Sequence, residues 1–424
     1  MGEMQMPPHW KVVKLGEYCE KPEYGYTASA TKQDSGYKFL RITDIQDGTV
    51  QWNNVPSCEV DKIKIDKYIL FTGDIVVARI GATTGKSFLI DDCPQAIFAS
   101  YLIRIRTKHD LLPRFLNFYF ETETYWQQID AKKGGKLKGG VNIPIIKNLL
   151  VPLPPLLEQK TIAHTLQTIQ KAKETCQREL ELERERKAAL MQYLFTHGTN
   201  PEFNTFQKTR FGKAPQHWKI VPLEKCAFIQ TGTAKGRKFQ DSETVILPYL
   251  RVANVQDGYL DLSEIKEISI RKSEVKRYSL EVNDVVLTEG GDPDKLGRGF
   301  IWEGQIPNCI HQNHIFAVRT NREILLPEYL AYLVQSDYGK AYFLSVAHRT
   351  TNLASINSTK LKAFPTLVPD ISEQKRILTI LQICDRKIQA LEKEIALTDE
   401  LFHAMLEQLM TGKISTQPLT ETYV

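Results

Sequence analysis

The sequence predicts an α+β protein made of two similar globular domains, each followed by one long α-helix. Three observations carry that prediction. A block comprising a proline, Glu-Gln-Lys and a long uninterrupted helical pattern occurs twice, with Glu158 and Glu373 separated by 215 residues. Each block carries an apolar seam in a heptad frame, polar at a few positions. The stretches ahead of the two blocks share short motifs in the same order.

The first domain is expected over residues 1–155, with short β-branched and aromatic runs between Gly, Asp and Asn turns. Tyr68–Phe71, Asp74–Ala78, Phe88–Ile90 and Tyr101–Ile105 read as strands, and Pro113–Gln128 as an aromatic-rich helix. The sheet should be mostly antiparallel. Residues 156–198 follow as the first long helix, with Pro154 before it and Gly198 after it, the punctuation expected at helix ends. Its seam runs through Ile162, Leu166, Ile169, Leu180, Leu190 and Leu194, with Lys173, Glu183 and Lys187 intruding in the middle.

The second domain is expected over 199–370, and its first part, 199–216, reads as a polar, turn-rich linker. It repeats the first in detail. Phe39-Leu40-Arg41 with Gln46-Asp47-Gly48 matches Tyr249-Leu250-Arg251 with Gln256-Asp257-Gly258, and Asp74-Ile75-Val76-Val77 matches Asp284-Val285-Val286-Leu287. A helix from Pro327 to Tyr342 answers the one from Pro113. The second long helix covers 371–412, with a tail at 413–424. Its seam is Ile377, Leu381, Cys384, Ile388, Leu391, Ile395, Phe402, Met405 and Leu409, polar only at Thr398. Two such helices in one chain should bury their seams on each other, forming a rod on the order of 55 Å long. The alternative is that each packs on its own globular neighbour.

With 424 residues and 42% hydrophobic content, two to three domains with ordinary cores are expected. A net charge of +5 permits nucleic-acid binding without demanding it. The seven cysteines are scattered without a CxxC pair, which reads as a reduced cytoplasmic protein without zinc sites or disulfides. No apolar run is long enough to span a bilayer.

Several familiar chemistries are approached and missed. Gly81–Ser87 resembles a P-loop but is one residue short, and a strand-like run follows where a helix is needed. Asn200-Pro201-Glu202-Phe203 resembles the motif of DNA amino-methyltransferases without its second proline. His311 and His314 lie three apart in a run, Cys309–Phe316, that reads as a strand, so no metal site is expected.

The candidate sites are polar loops at matching places in the two halves. Lys132, Lys133, Lys136 and Lys138 stand among four glycines, a combination suited to phosphate contact or simply to a solvated loop. Their counterpart is His348, Arg349, Thr350, Thr351 and Asn352. A second matching pair is Tyr26 and Thr27 against Lys235, Arg237 and Lys238. Arg79, Thr83, Thr84, Lys86, Arg298 and Asn313 are further candidates on Gly-rich connections, since Arg reads guanine and Asn adenine in the major groove.

The chain resembles the specificity (S) subunits of type I restriction-modification systems. The resemblance rests on Pro-x-His-Trp-Lys opening each half and on Asp74-Ile75-Val76-Val77-Ala78-Arg79-x-Gly81. It rests also on Val151-Pro152-Leu153-Pro154-Pro155 before Glu158-Gln159, Leu194-Phe195-Thr196 closing the helix, and Asn357, Pro369 and Glu373-Gln374-Lys375 in the second half. It covers essentially the whole chain. It implies two target-recognition domains, each reading one half of a bipartite, asymmetric double-stranded DNA site. The two helices would pair as an antiparallel coiled coil with internal pseudo-two-fold symmetry and set the gap between half-sites. The chain itself would be non-catalytic and bind no cofactor. Two modification subunits would supply S-adenosylmethionine-dependent adenine methylation, and restriction subunits the ATP- and Mg-dependent motor and nuclease. A type IIB-like context, or a coiled-coil protein scaffold without DNA specificity, are the competing readings.

Overall fold

The computed structural model describes residues 6–46, 48–61, 63, 65–132, 140–200, 202, 205–236, 243–291, 296–349 (the backbone alone at 349) and 354–416. The chain forms two compact units. One holds residues 1–177 and 393–424, the other 178–392. Both long helices, α4 (Leu156–His197) and α9 (Ile371–Met410), therefore contribute to both units.

Each unit is built on the same four-stranded antiparallel sheet. Its order is Glu23–Tyr24, Leu102–Ile105, Ile75–Ala78, Ser87–Leu89 in the first unit. In the second it is Ala227–Thr231, Ile315–Thr320, Val285–Thr288, Gly299–Ile301. The repeated IVVA and VVLT runs are strands because β-branched residues suit a pleated surface, and all four positions of each are buried. The aspartate ahead of each run is buried too and is held by a bidentate arginine. Arg106 donates to Asp74 at 2.6 and 3.1 Å, and Arg319 to Asp284 at 2.9 and 2.8 Å.

A second pairing closes each unit. Lys11–Lys14, just after the His-Trp pair, lies antiparallel to Leu150–Leu153, just before α4. Lys219–Pro222 and Pro365–Val368 repeat it ahead of α9. Two short parallel pairings were not foreseen: Lys38–Leu40 with Ala96–Phe98, and Tyr249–Leu250 with Ile310–His311. They join segments distant in sequence, and alternation alone does not reveal a partner.

Four sequence readings need correction. Tyr68–Phe71 is not a strand; a 3-10 turn at Asp66–Tyr68 precedes a single bridge from Ile69 to Ile97. Cys309–Phe316 is broken by a turn at 312–314 into Ile310–His311 and Ile315–Thr320, because the chain must pass from one pairing to another. The helix expected from Pro113 is two helices, α1 (Pro113–Tyr119) and α2 (Glu123–Lys132), with the Thr122 hydroxyl capping the second by accepting from Tyr125 N at 3.3 Å. α3 (Ile143–Lys147) follows in the first unit and α5 (Val275–Tyr278) lies in the second. The second unit repeats the helix break: α6 (Pro327–Gln335) and α7 (Asp337–Val346) are separated by Ser336, whose side chain caps α7, and α8 is Ser358–Lys362. Finally, the segment read as a polar linker contains a β-hairpin, Phe206–Thr209 with Gly212–Pro215, in which Ala214 is buried and Phe211 packs on Tyr338 and Tyr342.

Within each unit α4 and α9 run antiparallel. In the first, Ile162 and Leu166 of α4 and Phe402, Leu406 and Leu409 of α9 share a core with Phe115, Phe118 and Tyr119. In the second, Leu194 shares a core with Ile377, Leu381, Tyr329 and Leu330. Ile169, Leu180, Leu190, Ile388 and Ile395 are half-buried, and Leu391 is buried. The two lysine intruders find acids across the helix pair, while Glu183 pairs with Arg186 on its own helix. Lys173 pairs with Asp399, and Lys187 with Asp385 at 2.5 Å. Lys187 also lies 5.4 Å from the centre of the Tyr332 ring, at the place where Phe402 packs on Phe118 in the first unit. Among the described residues no helix is long and apolar enough to cross a membrane.

Candidate nucleic-acid interface

In each unit an equivalent backbone hydrogen bond helps bring the two candidate loops together. In the first, the connection after Ile75–Ala78 meets the end of the loop after α2, where Val141 N donates to Arg79 O at 2.8 Å. In the second, Ile356 N donates to Glu289 O at 2.8 Å. The next asparagine then caps a short helix in both: Asn142 accepts from Ile145 N and Asn357 from Lys360 N. The segment that carries Tyr26, bridged to Ala99, and its counterpart at Thr233, bridged to Gln312, complete each cluster. Here glycine is required, since a Cβ at Gly25 would collide with the carbonyls of Phe98 and Ala99, and one at Gly232 with those of His311 and Gln312.

The first cluster is cationic and aromatic. Arg79 lies over the Tyr24 ring at 4.5 Å and donates to Ser100 O at 3.3 Å, while Ser100 N donates to Tyr26 O at 2.9 Å. The Arg79 Nε is buried without a hydrogen-bond partner. The Gly81–Lys86 connection is a tight turn in which Thr84 is buried, its hydroxyl donating to Gly81 O at 2.6 Å, and Lys86 N donates to Thr83 O. Lys86 and Thr27 are exposed, and Tyr26 packs edge-on to Tyr68 at 5.2 Å. Lys132 ends α2 and donates to Asn148 O at 2.7 Å, and burial pushes its pKa down. Lys133, Lys136 and Lys138 lie outside the described residues.

The second cluster places different groups on the same frame. Glu289 stands where Arg79 does and pairs with His314 Nδ1 at 2.7 Å. Gly290–Gly291, Ala354–Ser355 and His348–Arg349 form a three-stranded ribbon that joins the two loops. His348 and Lys235 are exposed, Asn313 N donates to Thr233 O at 2.9 Å, and Arg298 is half-buried with its Nε unpartnered. Arg237, Lys238, Thr350, Thr351 and Asn352, and the side chain of Arg349, lie outside the described residues. Ser100 and Glu289 were not among the sequence candidates, and His314 was considered only as a metal ligand. The Arg79-to-Glu289 exchange was visible in the aligned repeats, whereas the Ser100 contact is made only by folding.

The chemistry available is that of recognition. Donors, acceptors and ring faces are presented on loops held by buried backbone hydrogen bonds. Burial pushes the thiols of Cys19 and Cys58 up to about 11 and that of Cys309 to about 12, which keeps them protonated and unreactive. Among the described residues no group of three or more His, Cys, Asp or Glu could hold a metal ion.

Comparison with known proteins gives a consistent result. The family described as type I restriction modification DNA specificity domain matches this chain twice, over residues 7–184 and 215–398. The type I restriction enzyme MjaVIII specificity subunit of Methanocaldococcus jannaschii is 24% identical over 429 residues, covering 99% of this chain and 96% of that protein. A putative type I restriction enzyme MjaX specificity subunit from the same organism is 28% identical over 209 residues, 49% of this chain and 48% of that protein. The EcoKI specificity subunit of Escherichia coli K12 is 23% identical, covering 91% of this chain and 84% of its own. Among solved structures, a chain from work on assembly and conformational transition of the type I R-M system superposes with a TM-score of 0.59 at 19% identity. It covers 97% of this chain and 100% of that one. The type I S subunit of M. genitalium gives 0.54 at 16% identity, covering 96% and 97%. These two share the fold. With two matched segments that span most of its length, this chain belongs to the type I restriction modification DNA specificity domain family.

Proposed function

We propose that this chain is the sequence-reading subunit of a type I restriction-modification assembly, with each half reading one part of a bipartite, asymmetric DNA site. The observation that carries this reading is the repeated loop frame with unlike side chains. The same anchors at Val141 and Ile356 hold Arg79 and Tyr24 in one half and Glu289 and His314 in the other. A repeated frame with unlike side chains is what two different half-sites require. The antiparallel helices would set the gap between half-sites. Methylation of adenine from S-adenosylmethionine would belong to two modification subunits, and ATP- and Mg-dependent translocation and cleavage to restriction subunits.

The test is modified-base sequencing of genomic DNA from cells that express this chain with its neighbouring methyltransferase. Methylated adenines in a two-part motif with a fixed gap are expected, and exchange of one half of the chain should change one half-site. Methylation without a motif, or an intact complex without methylation, would replace this reading with a protein scaffold.

A further inference from the structure

The hairpin Phe206–Thr209/Gly212–Pro215 places Lys208 directly opposite Lys213. Like charges that face each other across an antiparallel pair repel and cost stability. Both lysines are exposed, as is Arg210 at the turn, and among the described residues none of the three forms an ion pair. Asp337, which lines the same hollow as Lys213, is exposed at the first turn of α7. Lysines on a free strand edge also ward off edge pairing, but that duty does not require two of them to face each other.

Flat rings stand beside these cations. Tyr193 is 55% exposed and stacks on His197 at 4.5 Å, with 15° between the rings. His197 in turn meets Phe206 edge-on at 5.2 Å. Phe206 and Lys208 are two residues apart on one strand and so share a face. The other side of the hairpin is fixed to the unit, because Gln207 donates to Trp218 O at 2.8 Å and Phe211 packs on Tyr338 and Tyr342. The hairpin is thus a firmly seated cationic surface that retains a repulsive pair. Proteins break such local rules chiefly at functional sites.

We propose that this hairpin grips the phosphate backbone of double-stranded DNA without regard to sequence, through Lys208, Lys213 and Arg210. The inference rests on the reading of the chain as a DNA-recognition subunit, and it adds a contact outside the two loop clusters. A polyanion is the occupant that these cations of one hairpin complement, since none of the three forms an ion pair among the described residues, Arg210 only lying over the Phe211 ring at 5.8 Å.

The experiment uses the assembled complex with its modification subunits and two duplexes, one with the methylated motif and one unrelated. Their dissociation constants are measured against salt for wild type, for Lys208→Gln/Lys213→Gln and for Lys213→Glu. The double variant should weaken both duplexes by the same factor and lower the log–log salt slope by about 1 to 2. Lys213→Glu should keep or raise the melting temperature, since it creates an opposite-charge pair, and still weaken DNA binding. Unchanged slopes in both variants would overturn the inference, as would loss of complex assembly at an unchanged slope, which would mark a protein-docking surface. A wild-type complex that prefers no sequence would overturn the recognition reading instead, whatever the hairpin variants do.

Discussion

The Glu373 carboxylate accepts a hydrogen bond from the Trp218 indole at 3.0 Å, across 155 residues of chain. His217 Nε2 lies 3.0 Å from the same oxygen, and Thr199 N donates to the other at 2.9 Å. The first unit repeats the arrangement: Trp10 Nε1 donates to Glu158 at 3.0 Å and His9 Nε2 lies 2.8 Å away. The adjacent glutamine completes each lock. Gln159 accepts from Leu112 N and donates to Asp110 O and Pro154 O. Gln374 accepts from Leu326 N and donates to Ile324 O and Pro369 O. The duplicated His-Trp and Glu-Gln motifs are therefore one structural device, which seats a domain on the start of its helix.

The lock should make stability pH-dependent. Burial opposes charge on Glu373, but the Thr199 N–H, the His217 ring and the Trp218 indole together hold its carboxyl below the ordinary value. A depressed pKa stabilises the folded chain above the ordinary carboxylate range, and that contribution is lost as pH falls through the folded-state value. Glu373→Gln should be less stable than wild type at about pH 7 and should lose less stability on acidification to about pH 3. Urea midpoints across that range decide it; parallel curves would show that the charge contributes nothing.

The pair formed by the buried Asp284 and the half-buried Arg319 should be costly to break from one side. Arg319→Met leaves the Asp284 carboxylate, which is fully buried, without its bidentate partner. A loss of about 3–5 kcal/mol is expected. The double variant Asp284→Leu/Arg319→Met should recover much of it, since two apolar groups leave no orphaned charge. Thermal melts of the three proteins measure the difference.

Arg79 should act on one half-site alone. Arg79→Ala removes the group stacked on Tyr24 and leaves the Val141 anchor, which uses the Arg79 carbonyl. Relaxed methylation at one or two positions of one half-site is expected, with a cost of about 1–3 kcal/mol per lost base contact. The other half-site should be unchanged in the same sequencing experiment.

Insertion of one heptad into each of α4 and α9 keeps both seams in register, because the apolar repeat is seven residues. The methylated motif should then keep both half-sequences and show a longer gap. An unaltered gap would end the spacer proposal.

Much was legible before folding. The duplication, the two long helices, the DIVV and DVVL strands and the strand that follows Gly81–Lys86 all followed from local pattern. Side-chain periodicity and end signals are properties of contiguous residues, so one sequence suffices to read them. The loop clusters were named only in part: Arg79, Lys86 and the stretch from Tyr24 to Thr27 stood among the candidates, whereas Ser100 and Glu289 did not, and His314 was weighed only as a metal ligand. The 199–216 segment was read as a tether because its residues are polar, yet Gln207 and Phe211 fold it onto the unit.

The sequence by itself determined that the chain is a tandem of one α+β unit and one long helix. It also determined that the seam of α4 carries charges where that of α9 is mostly apolar. Only the tertiary structure decided what those charges do. Lys173 meets Asp399, Lys187 meets Asp385, and the His-Trp and Glu-Gln motifs meet each other. Such partners lie from 148 to 226 residues apart, and a long-range pair is selected by geometry and burial, which no local pattern encodes.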